Sequence, residues 1–66
     1  MNKNDVNIML KYYGLILDSY KPGNVRLYCL WKEDKKLSDF MAFNALCAWL
    51  NGYEAAINQE VGDNED

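Results

Sequence analysis

From Phe40 to Tyr53 the chain runs for fourteen residues without a charged side chain, and the whole chain has only 66 residues. Such a stretch has to be buried along at least one side, because exposed apolar surface is costly in water. It is too short for the ~18 to 20 apolar residues of a membrane span. A chain of this size buries only about 60% of the surface its unfolded form exposes, so it starts marginal. The uncharged stretch must therefore supply most of the core of one small domain, and the remaining segments must be built to cover it.

Its periodicity is helical. On a 100° wheel Phe43, Leu46, Leu50, Tyr53 and Ile57 group at the centre of one arc, with Ala42, Ala45, Trp49 and Ala56 on one flank. Asn44, Asn51 and Asn58 mark the opposite, wet face. Ser38 or Asp39 can cap the start, and the pattern runs to about Gln59. Gly52 either sits inside this helix at ~1 kcal/mol relative to alanine, or divides it at Asn51–Gly52.

Two further segments are available as cover. Residues 5–13 read as a short helix: Val6, Met9, Leu10 and Tyr13 share a face, Asn4 or Asp5 can cap it, and Gly14 stands where a left-handed C-cap belongs. A strand is the competing reading, since Val6, Ile8, Leu10 and Tyr12 also alternate. Residues 15–20 and 25–32 read as strands joined by a turn at Lys21–Pro22–Gly23–Asn24, where proline presets one dihedral and glycine takes the positive φ after it. In the second strand Val25, Leu27, Cys29 and Trp31 form a purely apolar set and are expected to face the core. Arg26, Tyr28, Leu30 and Lys32 form a mixed set expected to be at least half wet. Glu33 to Lys36 is a charged turn, after which Leu37 either opens a short third strand or leads into the long helix. The expected fold is a small α+β two-layer sandwich in the order helix, hairpin, long helix. Residues 1–59 form its single domain and residues 60–66 a flexible acidic tail.

The formal net charge of −3 conceals an asymmetry. Residues 1–36 hold all seven basic side chains and four acids, a net of +3, whereas residues 37–66 hold six acids and no base. Glu54, Glu60, Asp63, Glu65 and Asp66 are candidates for steering the chain toward a basic partner. The same acids suggest imitation of nucleic-acid phosphates, although such mimicry usually needs more of them on a rigid surface. Binding of nucleic acid itself has little support, because clustered Lys and Arg are lacking. Only Arg26, Tyr28 and Lys32, with Tyr20 and Lys21, suggest a stacking face, and no glycine–aromatic signature accompanies them.

Catalysis has little to work with. There is no histidine, so the commonest general base and metal ligand is missing. Asp18, Asp34, Asp39 and Glu54 show no paired spacing, and no phosphate loop or nucleophile elbow occurs. Cys29 and Cys47 lack metal spacing and read as reduced thiols packed like small hydrophobes. No catalytic residue, metal or cofactor is expected. No apolar run follows Met1–Asp5, so no secretory leader is expected and the cytoplasm is the expected compartment.

What remains is contact. The apolar arc of the long helix is wider than one small sheet requires. Ala45, Gly52 and Ala56 would allow a second helix close to the flank, and Trp49, with Met41 nearby, would be a large apolar anchor. Either the first helix covers this flank, or a partner or a second copy does. Tyr28 and Arg26 on the hairpin are the other candidate contacts.

The stretches Leu10–Lys11–Tyr12–Tyr13–Gly14, Ser19 through Tyr28, and Ala48 through Ala56 are similar to those of small orphan accessory proteins of phages and prophages. Those proteins carry a YSPG turn running into an RY strand and a final FL-x-GY-x-A helix. Here Lys21 replaces the usual serine and Trp49–Leu50 replaces Phe–Leu, which keeps a turn and an apolar knob. The resemblance implies a compact α+β accessory protein of an infected bacterium, without a chemistry. The leading expectation is a protein-binding module that inhibits a bacterial defence or host protein by steric occlusion. The alternatives are an oligomeric sponge for a nucleotide or other small ligand, with Arg26 and Lys32 facing phosphates, a DNA-mimic inhibitor, and a virion component.

Overall fold

The computed structural model describes the backbone of residues 1–65 and the side chains of residues 1–59. Two helices and three strands follow in the order α1 (Lys3–Tyr13), β1 (Ile16–Tyr20), β2 (Leu27–Lys32), β3 (Lys35–Lys36), α2 (Phe43–Glu65). The expected α+β layout of helix, hairpin and long helix is present, with the short third strand formed just ahead of Leu37.

Helix, rather than strand, is the state of the first segment. It starts earlier than residue 5, because Asn2 and Asp5 form a capping box. The Asn2 Oδ1 accepts from the Asp5 N–H at 2.9 Å, and the Asp5 carboxylate accepts from the Asn2 N–H at 3.3 Å. Two N–H groups that the first turn cannot satisfy are thereby paired. Asp5 thus serves as the second half of the cap and Asn4 has no part in it. Gly14 ends the helix at φ 69°, ψ 36°, the left-handed region that costs glycine nothing.

The sheet is antiparallel in the order β1-β2-β3. Leu17 faces Leu30 and Ser19 faces Tyr28 on one side; Ile16 faces Trp31, Asp18 faces Cys29 and Tyr20 faces Leu27 on the other. The helices cover the first side. Val6, Leu15, Leu30, Leu46 and Leu50 form the buried core, with Met9, Leu10, Tyr13, Leu17, Tyr28, Phe43 and Tyr53 packed against it. This reverses the expected orientation of β2. The mixed set containing Tyr28 and Leu30 is the inward one, and the apolar set of Leu27, Cys29 and Trp31 looks away from both helices, although Cys29 within it is a free thiol with no exposed surface. The reason lies in β1. Its partner residues on the inner side are Leu17 and Ser19, whereas the outer side carries Asp18, whose carboxylate cannot be buried cheaply. β2 also starts at Leu27, later than expected, and Val25 is 59% exposed in the connecting loop.

The passage from β3 to α2 explains the late start of the long helix. Leu37 donates its N–H to the Leu30 carbonyl, and Met41 exchanges both backbone bonds with Tyr28, each at 2.8 Å. Between them the Ser38 Oγ accepts from the Leu30 N–H at 3.1 Å. Ser38 is thus committed to the sheet, and strand-like pairing persists to Met41. A helix cannot open at Ser38 or Asp39 under those constraints; it opens at Phe43, with Leu46 donating to Ala42. The ladder that pairs Trp31 with Lys36 would place residue 39 opposite Tyr28, but Met41 stands there instead. The surplus residues bulge outward and carry Phe40 onto the outer side of the sheet.

α2 continues through Gly52 without a break and past the expected end near Gln59. Leu46 and Leu50 are fully buried, Phe43, Tyr53 and Ile57 are half-buried, and Asn44, Asn51 and Asn58 are exposed, as the wheel requires. The acidic side chains of residues 60–66, expected as a flexible tail, lie outside those described.

Candidate functional site

Two surfaces follow from this packing: the exposed flank of α2 and the outer side of the sheet.

On α2 the flank is uncovered but discontinuous. Ala45, Gly52 and Ala56 are exposed, and apart from its neighbouring residues and the backbone of its own helix no atom lies within 4 Å of where a Gly52 side chain would begin. Trp49 does not project as a free anchor; it is half-buried and stacked on Tyr53 at 5.2 Å with 13° between the ring planes. α1 leaves this flank alone. It reaches α2 through Tyr13, whose ring meets Tyr53 edge-on at 5.4 Å and whose hydroxyl donates to the Glu54 carboxylate at 3.3 Å. The reading in which the first helix shields Ala45, Gly52 and Ala56 is therefore corrected. Glu54 is also tied inward rather than free to steer. The Tyr13 phenol is raised above its ordinary value, first by burial and then by the negative charge and hydrogen bond of Glu54.

Of the remaining candidate contacts, Tyr28 and Met41 are both half-buried and joined by their backbones, and the Tyr28 ring lies 5.9 Å from Phe43 beneath α2. Arg26 is exposed and donates to the Ser19 hydroxyl at 3.2 Å. Neither Tyr28 nor Arg26 belongs to the open side of the sheet. Glu60, Asp63, Glu65 and Asp66 lie outside the described side chains.

The open side is where apolar groups gather without a helix over them, although Cys29 at its centre has no exposed surface. The β1–β2 pairs place Ile16 and Trp31, then Asp18 and Cys29, then Tyr20 and Leu27 along it. Ile16 is 57% and Tyr20 47% exposed, while Trp31 and Leu27 are half-buried. Phe40, delivered by the bulge, packs edge-on against Tyr20 at 4.5 Å, and the Lys36 ammonium sits 5.4 Å from the Phe40 ring centroid. That cation–π contact and the edge-on pair fix the rings with little rotamer freedom left to lose. At the other end Ile16, Leu17, Asp18, Trp31 and Glu33 line a shallow cleft of ≈ 290 Å³. The face thus has an aromatic and aliphatic centre, an acid on the β1 edge and a base on the β3 edge. Trp and Tyr side chains of this kind are enriched among those that dominate binding energy at interfaces. Among the described residues no group of three potential metal ligands occurs.

Sequence reasoning assigned Trp31 and Leu27 to the core, placed Tyr20 beside a stacking face of Arg26 and Tyr28 instead of with Trp31, and passed over Ile16 and Phe40. Asp18 was the available signal, since it shares a side with Ile16 and Tyr20. No helix among the described residues is long and apolar enough to cross a membrane. No protein-family model, curated protein or solved structure matches the chain.

Proposed function

We propose that this chain is a small protein-binding accessory module, encoded by a phage or prophage, that inhibits a bacterial defence or host protein by occluding it. The observation that carries the reading is the open sheet side, where Ile16, Tyr20, Leu27, Trp31 and Phe40 stay together with no helix over them. Small monomeric domains rarely leave a contiguous apolar patch without a use for it. The source rests on the resemblance of the Leu10–Gly14, Ser19–Tyr28 and Ala48–Ala56 stretches to phage accessory proteins, and the inhibitory role on the small size of the chain and that type of source.

The mechanism is steric. The target supplies an apolar patch that closes over Trp31 and Ile16, water is expelled, and the remainder of the module blocks whatever that patch serves. A rim carrying Asp18 on the β1 margin and Lys36 on the β3 margin, with Glu33 in the turn between β2 and β3, selects orientation more than it adds affinity. Affinity capture from host bacteria, run in parallel with the Ile16→Lys chain, tests the reading. A stoichiometric partner retained by the native chain and lost by the variant supports it. Equal retention by both, or none by either across several hosts, contradicts it.

A further inference from the structure

The β1 margin of the sheet offers main-chain groups that the fold leaves unpaired. Tyr28 exchanges both of its backbone bonds with Met41, while Leu30 accepts from the Leu37 N–H and donates its own N–H to the Ser38 hydroxyl. Both residues therefore turn their N–H and C=O groups away from β1. Backbone groups alternate in direction along a strand, so Leu27, Cys29 and Trp31 are the residues of β2 that bond to β1. Their partners in the unbroken register are Tyr20, Asp18 and Ile16. Leu17 and Ser19 are left pointing outward from the sheet edge, and among the described residues neither has a backbone bond outside the sheet.

A cleft borders this edge on each side of the sheet, and Leu17 lines both. A strand laid along β1 sends alternate side chains to the two sides. The residue opposite Asp18 falls on the outer side, in the cleft that Asp18 and Glu33 line with Trp31 and no base. A Lys or Arg fits there, its charge against the carboxylates and its stem along the indole. Residues opposite Leu17 and Ser19 fall on the inner side, where Val6, Leu17, Tyr28 and Phe43 give a cleft of ≈ 180 Å³ an apolar wall. Lys3, which also lines that cleft, and Arg26, which bonds to Ser19, keep a base off this side. A second copy of β1 is the wrong occupant. Antiparallel pairing through Leu17 and Ser19 sets the two Asp18 carboxylates opposite each other, which is unfavourable.

We infer that the target presents an extended basic segment that adds to β1 as a fourth strand, bonded through its main chain to Leu17 and Ser19 and with a Lys or Arg set against Asp18. This rests on the protein-binding reading above and names the form its partner takes. Main-chain bonds give such a strand its affinity, and the clefts on either side give it selectivity. The added strand widens the open face beside Ile16 and Tyr20, so the rest of the target closes over Trp31 from that margin.

Titration of the isotope-labelled chain with the capped peptide Thr-Val-Arg-Val-Thr, followed by amide resonances and hydrogen exchange, tests this. The Leu17 and Ser19 amides should shift and gain protection, while that of Asp18, already bonded to Cys29, keeps its exchange rate. Asp18→Lys, at an exposed position, should weaken binding of this peptide about fivefold and strengthen binding of its glutamate counterpart, Thr-Val-Glu-Val-Thr. N-methylation of the Leu17 nitrogen in a synthetic chain removes one outward donor and leaves the β1–β2 ladder whole. It should abolish binding with the circular dichroism unchanged. No protection of Leu17 and Ser19 up to the solubility limit overturns the inference, and so does binding indifferent to the charge of the peptide or to the N-methyl group. Protection of the same amides that rises with concentration in the peptide-free chain also overturns it, by assigning the edge to a second copy. Capture from host bacteria reads the target itself, so failure of the peptide leaves the protein-binding reading standing. An empty capture beside a bound peptide counts against that reading and not against strand addition.

Discussion

Ile16 lies directly opposite Trp31 in the β1–β2 ladder, on the side of the sheet that neither helix covers. Their pairing makes the most apolar point of the surface also one of its most accessible, since Ile16 leaves 57% of its area in water. Ile16→Lys should therefore change stability by no more than ~0.5 kcal/mol, as surface substitutions generally do, while removing partner capture. Chemical denaturation alongside capture separates the two effects. A loss of several kcal/mol would mean that Ile16 is internal and that the sheet is covered from both sides.

Ser38 is the hinge between sheet and helix. Its hydroxyl accepts from the N–H of Leu30, a residue with no exposed surface. Ser38→Ala leaves that donor unsatisfied and should cost about 1–3 kcal/mol. A free-energy change near zero in urea titration would show that β2 and the Ser38 loop are not joined this way.

Gly52 gives the opposite sign. It sits in the interior of α2 with open space beyond its Cα. Gly52→Ala should stabilise the fold by about 1 kcal/mol, raising the thermal midpoint. A destabilised variant would mean that something packs closely on the Ala45, Gly52 and Ala56 flank after all.

Tyr13 links the two helices, and its raised phenol makes that link pH-dependent. The folded phenol keeps its proton above the unfolded value of ~10. Its contribution is therefore complete below pH ~10 and is lost as pH rises through the higher folded value. Stability compared at pH ~8 and ~11 should fall more for the native chain than for Tyr13→Phe. Equal falls would remove Tyr13 as a source of the pH dependence.

How far the chain could be read in advance differs between its elements for physical reasons. α1 was legible because a helical face of Val6, Met9, Leu10 and Tyr13 ended at Gly14, a local signal that needs no tertiary partner. The arc of α2 was legible for the same reason, with Leu46 and Leu50 at its centre. The start of α2 was not, since Ser38 caps nothing and instead serves β2, a long-range bond invisible to a local pattern. The orientation of β2 was misjudged because its purely apolar set outweighs the mixed set of Arg26, Tyr28, Leu30 and Lys32 when the strand is read alone, and one strand cannot say which side a helix will choose. That choice was made on β1, where Asp18 excludes one side from burial. Phe40 reached the surface only through a bulge set by the mismatch between two stretches of ladder, which no single segment encodes.

The account turns on the open face being the surface that meets a partner. Site-specific photo-crosslinking in host bacteria, with the probe placed at position 16 or, separately, at position 48 on the exposed back of α2, addresses it directly. The account predicts protein adducts from position 16 and none from position 48. Adducts from position 48 with none from position 16 would contradict it.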